Sequence, residues 1–315
     1  MQRKPASEGH SPSAGERSPS PEAIRTLENF KLPSQQRKSP NSPLARQSRA
    51  LKQRRFEKGE SHIQVRRFDF GSRGVSSVIP NITGERGAPQ HDTLSELETT
   101  AVLQARALGA RKLVTQYPLR LHDDDPDTPG ARGTLSLAAD MGFKHPSSEQ
   151  QPLIMTCDVV VWTADQHVIP LFVRYEQDRP KAGSRQMQLF RIAEAYWQDR
   201  SALLVTYTEM FCTKAERDRL IWAADGAAAT AEEDPEFIRY LIDSQQRGSL
   251  SGLLSRWPLG LTDALIRFKH ALAIGRVVMP LSQQLQTIHQ PVSFKVRSDT
   301  QRDELMRSFY GREEQ

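Results

Sequence analysis

The sequence has few cysteines and lacks long apolar runs. Only Cys157 and Cys212 occur in 315 residues, which is too few for a disulfide framework or a four-cysteine zinc site and favours a reducing, cytoplasmic setting. No stretch approaches the about 18 apolar residues of a membrane span, and the polar N-terminus lacks the apolar region of a secretory signal. The phosphate-binding signature G-x-x-x-x-G-K-[ST] is also missing, so we do not expect ATP to bind through that motif.

Acidic and aromatic residues are scarce in the first part of the chain. Residues 1–92 contain about 17 Lys and Arg and about 9 Asp and Glu, whereas the net charge of the whole chain is +5. Such a basic arm is typical of proteins that bind a polyanion, most simply nucleic acid. A solvated tail without a partner has the same composition. Residues 1 to about 60 are rich in Ser, Pro, Arg and Gln, and they cannot bury enough apolar surface to offset their ordering entropy.

Residues 62–82 differ because apolar and polar side chains alternate there, which is consistent with an extended segment. We therefore predict that residues 1–90 are a disordered basic arm that orders in part on DNA or on a partner protein. The candidate DNA-binding residues of this arm are Arg54, Arg55, Arg66, Arg67 and Arg73.

A folded domain is predicted over residues 91–212. Thr93 and Glu96 match an S/T-x-x-E capping box, which predicts a helix with Thr93 as N-cap that ends near Gly109. Apolar patterning then predicts three strands, a helix and a fourth strand. Their ranges are 112–121, 153–162, 168–176, 184–198 and 202–209, with a hairpin turn at 164–166.

The C-terminal part, residues 213–315, has a different pattern. An alanine-rich stretch, 222–234, is interpreted as a flexible or weakly helical joint. Helices are predicted at 235–246, 248–256 and 260–274, followed by an extended pair within 276–297. Three short helices and an extended pair suggest a winged-helix domain.

The first helix carries a candidate catalytic carboxylate. At about 100° per residue, Glu98 lies within the apolar stripe that begins at Leu94, whereas Glu96 lies on the opposite side. A carboxylate on the inward face is costly unless it is paired, protonated or bound to metal. Glu98 is therefore a candidate site residue, and the alternative is a carboxylate at the edge of the stripe bonded to nearby backbone.

The strands offer further charged residues. Asp158 interrupts the apolar run LIMTCDVVVW, and Arg174 and Glu176 of the next predicted strand point to one face. Glu98, Asp158 and Glu176 could together hold Mg²⁺ or Mn²⁺, which would activate water for phosphodiester hydrolysis. The alternatives are a strand-end Asp bonded to a loop amide and an exposed Arg–Glu pair. The cluster of Asp123, Asp124, Asp125 and Asp127 could also bind a cation, but a solvated loop is the preferred interpretation.

Short segments of the core resemble the TnsA family, the endonuclease subunits of heteromeric transposases. The matching segments, in the order and near the spacing of that family, are LSELETTAVL (94–103), TQYPL (115–119), LAADMGFKHP (137–146), MTCDVVVW (155–162) and AYWQDR (195–200). The stretch GLTDALIRFKHALAIGRVVMPL (260–281) fits the winged-helix part of such proteins, so the resemblance covers roughly residues 91–297. It implies an α/β fold with a restriction-endonuclease-like, PD-(D/E)XK core and a C-terminal winged helix.

By this resemblance the helix glutamate of the family falls on Glu98 and its strand aspartate on Asp158. The third motif of the family is Gln-x-Lys, but this sequence has Arg174 and Glu176 there. Either Arg174 supplies the positive charge while Glu176 acts as a metal ligand, or the site is impaired and the subunit serves assembly. Arginine stays protonated and is a poor general base, although it can stabilise developing charge. Lys181 lies close by in sequence and offers another cation.

The resemblance implies a bacterial, cytoplasmic enzyme that makes single-strand cuts at the 5′ ends of a transposon with Mg²⁺ or Mn²⁺. Its expected partners are transposon-end DNA, an integrase-type transposase and an AAA+ ATPase regulator. One alternative is a non-catalytic architectural subunit that binds DNA and partners through a vestigial nuclease core. Another is a nuclease that acts without partners.

Overall fold

The computed structural model describes residues 77–79, 91–93, 95–123, 125, 128–148, 150–229, 233–244, 249–280, 288–289 and 291–310. Nearly all of the predicted basic arm, including its five candidate DNA-binding arginines, lies outside these residues. In the part of the chain that is described, no helix is both long and apolar enough to span a membrane.

The described residues form a mixed α/β structure. The strands are β1 (Ser77–Ile79), β2 (His91–Thr93), β3 (Lys112–Pro118), β4 (Ser147–Ser148), β5 (Gln151–Pro152), β6 (Thr156–Trp162), β7 (Val168–Val173), β8 (Val205–Tyr207), β9 (Val277–Val278) and β10 (Lys295–Val296). The α-helices are α1 (Glu96–Ala107), α2 (Thr134–Asp140), α3 (Arg185–Gln198), α4 (Lys214–Ala229), α5 (Pro235–Asp243), α6 (Leu250–Leu254), α7 (Leu261–Ala273) and α8 (Asp299–Tyr310). The α/β class expected from the sequence is therefore confirmed, whereas the finer nuclease and winged-helix assignments stay predictions.

A four-stranded sheet with the order β3-β6-β7-β8 forms the centre. The strands β3, β6 and β7 are antiparallel, and β8 pairs in parallel with β7. The residues of β6 are mostly β-branched and buried, as expected for a strand covered on both faces. The hairpin turn predicted between β6 and β7 is confirmed by their pairing, which places Trp162 opposite Val168.

Apolar clusters cover the two faces of this sheet. On one face, Val159 and Val161 of β6 pack with α1 and with helices from the C-terminal part of the chain. On the other face, Val160 packs with α2 and α3. The first cluster is one continuous apolar core whose buried residues range from Leu97 to Tyr310. It therefore joins residues on both sides of the predicted domain boundary at 212.

The start of α1 differs from the prediction. Ser95, not Thr93, is the N-cap, because its Oγ accepts a hydrogen bond from the backbone N of Glu98 at 3.1 Å. Thr93 instead ends β2, is fully buried and shares a 2.7 Å hydrogen bond with the hydroxyl of Thr99. The spacing S/T-x-x-E occurs twice in this segment, and the second copy caps the helix because β2 holds the first in an extended strand.

Other boundaries also differ from the prediction. The third strand ends at Val173 rather than at residue 176, and α4 continues through Ala229 where a joint was expected. The sequence pattern did not predict α2 or α8. The three helices predicted after residue 235 and the extended pair are present as α5, α6, α7 and the antiparallel pair β9–β10.

Candidate active site

The first turn of α1 buries one of its two glutamates. Glu98 is only 4% exposed, whereas the side chain of Glu96 is 72% exposed. Glu98 lies in this position because the same helical face carries Leu97, Ala101 and Ala105 into the core. The helical phase read from the sequence therefore separated the two glutamates correctly.

Asp158 occupies the middle of β6 and is also buried, at 7% exposure. Its Oδ2 accepts hydrogen bonds from the backbone N of Val173 at 2.8 Å and from Nη1 of Arg174 at 3.1 Å. Burial raises the pKa of this carboxyl, and the charge of Arg174 and the hydrogen bonds around it act in the opposite direction. The carboxylate is thus held in place by fixed donors in an environment that makes its ionisation costly.

Gln116 links the two acidic residues, although they are 60 positions apart in the sequence. Its Nε2 donates to Oε2 of Glu98 at 3.3 Å. On β3 it lies at the position opposite Asp158, between the register pairs Thr115–Val159 and Tyr117–Cys157. A hydrogen bond from the Gln116 side chain lowers the pKa of Asp158. The sequence analysis did not identify Gln116, and the available signal was a polar amide within KLVTQYP, part of the predicted strand.

Arg174 lies just beyond the end of β7. Its Nη1 contacts Oδ2 of Asp158 and also donates to the carbonyl oxygen of Val173 at 2.5 Å. The guanidinium stacks over the ring of Phe172, 4.3 Å from the ring centre, while 40% of the side chain remains exposed. One positive charge is therefore fixed between the buried carboxylate and solvent.

Glu176 does not join Glu98 and Asp158. Because β7 ends at Val173, Glu176 begins a short 3₁₀ turn, Glu176–Asp178, instead of pointing from a strand. Its carboxylate pairs with Arg179 at 3.0 Å on the surface, and its backbone N donates to Oε2 of Glu209 at 2.8 Å. The prediction that Arg174 and Glu176 share a strand face is wrong, and the expected third metal ligand lies elsewhere.

The predicted cation would need oxygen ligands supplied by the chain. Among the described residues, no group of three His, Cys, Asp or Glu side chains is arranged to hold a metal ion. Mg²⁺, however, is commonly bound by one or two carboxylates together with waters and substrate phosphate. Glu98 and Asp158, brought together at Gln116, fit that smaller requirement, so these two residues would hold the ion.

In the acidic loop before α2, Asp123 is exposed as expected for a solvated loop, whereas Asp125 is a buried anchor. The side chain of Asp125 is 7% exposed and accepts from Arg200 at 2.9 Å, with Arg120 at 3.4 Å and a hydrogen bond from Thr128 at 2.8 Å. Asp123 accepts from the backbone N of Gly133 and from Ser136 Oγ. Asp124 and Asp127 lie outside the described residues.

Comparisons with models of protein families and with curated proteins find no match for this chain. The resemblance to the TnsA family therefore rests on the short sequence segments, and the geometry around Gln116 is an independent observation.

Proposed function

We propose that the protein is the endonuclease subunit of a heteromeric transposase and makes metal-dependent single-strand cuts at the 5′ ends of a transposon. One observation carries this proposal. Two buried carboxylates from distant parts of the chain, Glu98 of α1 and Asp158 of β6, both lie beside the side chain of Gln116. Buried carboxylates are costly to maintain, and their convergence is typical of a catalytic site.

In this proposal Glu98, Asp158 and Arg174 have separate roles in the cleavage reaction. Glu98 and Asp158 hold Mg²⁺ or Mn²⁺, and the bound ion supplies an activated water and charge stabilisation at the scissile phosphodiester. Arg174 keeps a permanent positive charge beside Asp158, and its exposed part faces the solvent from which a DNA phosphate would approach. Glu176 has no direct role in this scheme, because its carboxylate is paired with Arg179.

The proposed partners follow from the resemblance to the TnsA family. They are transposon-end DNA, an integrase-type transposase that processes the 3′ ends, and an AAA+ ATPase regulator. Binding of DNA by the basic arm would weaken with rising salt, because contacts between cationic side chains and phosphates release counterions.

The test is strand nicking of transposon-end DNA by the assembled complex in Mg²⁺. Glu98→Gln and Asp158→Asn should each lower the nicking rate at least about 100-fold, since each removes a charged metal ligand. Glu96→Gln is the matched control, because Glu96 lies on the same helical turn but points into solvent. Equal nicking by the wild type, Glu98→Gln and Asp158→Asn would contradict the proposal. Nicking without any partner would favour a nuclease that acts alone.

A second candidate is an architectural subunit with a vestigial nuclease core. The contact between Arg174 and Asp158 favours it, because the guanidinium neutralises the buried carboxylate without a metal ion. The surface pairing of Glu176 with Arg179 favours it as well.

The same assay separates the two candidates. An architectural subunit would give no Mg²⁺-dependent nick with wild-type protein, while the complex of DNA and partner proteins would still assemble, as measured by a gel-shift titration. Nicking that depends on Glu98 would exclude this second candidate.

A further inference from the structure

The backbone at Gln116 has an unusual conformation. Its φ is 51°, in the left-handed region that residues other than glycine rarely adopt, and it is 3% exposed within β3. A left-handed backbone costs about 1 kcal/mol for a residue with a Cβ. Such strain persists only where the surroundings impose it, and it is concentrated at functional sites.

The strain coincides with a change in the alternation of side chains along β3. In a regular strand, residues 113 and 117 share a face, because alternate residues point the same way. Here Leu113 packs in the cluster that contains α1, whereas Tyr117 packs in the cluster that contains α3. The same change occurs on β6, where Val159 packs in the cluster with α1 and Cys157 in the cluster with α3, although they are two positions apart. These two residues pair with Thr115 and Tyr117 of β3, respectively. The reversal therefore falls at the positions of Gln116 and Asp158.

The amide of Gln116 is oriented by its neighbours. Its Oε1 accepts from the hydroxyl of Thr156 at 3.2 Å, which leaves both N–H donors of Nε2 for acceptors on the other side. Nε2 donates to Oε2 of Glu98, as expected because an ionised carboxylate has only acceptors and no donor. The hydroxyl of Thr156 thus fixes which end of the amide points at the acidic residues.

We propose that Gln116 is a positioning residue that sets the separation of Glu98 and Asp158 for a divalent cation, with Thr156 orienting its amide. This inference rests on the proposed function, because it concerns the same cation site. Two carboxylates that approach each other without a cation repel, and amide N–H groups directed at them offset this repulsion. Outer partners of metal ligands commonly contribute a factor of about 10 to 100 to metal affinity.

The test measures Mn²⁺ affinity of the full chain by isothermal titration calorimetry, without DNA or partners. Gln116→Gly removes the amide and also relieves the left-handed strain, so the fold should be retained. Gln150→Gly is the matched control, because Gln150 has a φ of 61° but lies exposed between β4 and β5. We expect Gln116→Gly to weaken Mn²⁺ binding at least about tenfold and Gln150→Gly to leave it unchanged.

Unchanged Mn²⁺ affinity in Gln116→Gly would overturn the inference. If the wild type binds no Mn²⁺, the metal site of the proposed function fails, and crystal structures of the wild type and Gln116→Gly then decide the inference separately. Displaced Glu98 and Asp158 side chains in the variant would support the positioning role. Side chains that keep their wild-type positions would refute it.

Discussion

Gly275, just after the end of α7, lies against the carbonyl oxygen of Ala107, the last residue of α1. A Cβ at position 275 would come within 1.6 Å of that oxygen, and the φ of Gly275 is 73°. The helix that carries Glu98 therefore ends in direct backbone contact with the C-terminal helices. Ala107 and Ile274, beside this contact, pack against the apolar cluster that extends across both parts of the chain.

We expect Gly275→Ala to lower the free energy of unfolding by about 3 kcal/mol, since it adds both overpacking and left-handed strain. Urea denaturation at pH 7 measures the change. Gly142→Ala is the control, because Gly142 has a φ of 66° but a Cβ there would have open space around it. Its loss should be about 1 kcal/mol, from the strain alone. Equal losses in the two variants would show that the contact between Gly275 and Ala107 is absent.

Asp125 anchors the loop before α2 to Arg200 near the end of α3. Burial alone would raise the pKa of Asp125, but the hydrogen bond from Thr128 and the charges of Arg120 and Arg200 lower it overall. Asp125→Asn should therefore lower the free energy of unfolding by about 3 kcal/mol at pH 7, because it leaves the buried Arg200 without its anion.

The effect of Asp125 should depend on pH with a defined sign. Because the pKa of Asp125 is lower in the folded than in the unfolded chain, its contribution to the free energy of unfolding is fully present above the unfolded pKa of about 3.9. This contribution is lost as the pH falls through the folded pKa. Thermal unfolding at several pH values should show wild type and Asp125→Asn converging below about pH 4. Asp218→Asn, at an exposed carboxylate 3.9 Å from Arg217, is the control and should change little. A constant difference across this range would refute the linkage.

Asp158 should show the opposite dependence. Burial raises the pKa of Asp158, so the ionised form is less favourable in the folded than in the unfolded chain. The contribution of Asp158 to the free energy of unfolding is highest below its unfolded pKa, and it falls as the pH rises through its folded pKa. Asp158→Asn should therefore unfold at a higher temperature than the wild type at pH 7, and the difference should shrink toward about pH 4. A variant less stable than the wild type at pH 7 would contradict this expectation.

Arg174 provides a test of charge stabilisation. Arg174→Ala should lower nicking about 100-fold, the usual effect of removing one charge-stabilising donor from a site, and Mn²⁺ should still bind to the full chain. Nicking assays with the assembled complex measure the effect. Arg179→Ala is the matched control, because Arg179 pairs with Glu176 on the surface, and its nicking rate should not change. Equal loss in both variants would indicate a general requirement for positive charge.

Local spacing in the sequence was enough to predict several elements. The 3.6-residue period of α1 identified Glu98 as the inward glutamate, and the apolar run around Asp158 predicted β6. Both predictions succeed because neighbours along the chain determine the phase of a helix and the burial of a strand. Glycine at 109 likewise predicted the end of α1, since a left-handed residue terminates a helix at low cost.

The tertiary structure decided the rest. The end of β7 at Val173 removed Glu176 from the site, and the pairing of β3 with β6 placed Gln116 opposite Asp158. Asp125 became a buried anchor through a partner, Arg200, that lies 75 residues away in the sequence. These relations depend on strand register and helix packing between distant segments, whose energies no local pattern encodes. The sequence by itself thus determined that Glu98 and Asp158 face inward, and the packing of the sheet against α1 determined that they meet at Gln116.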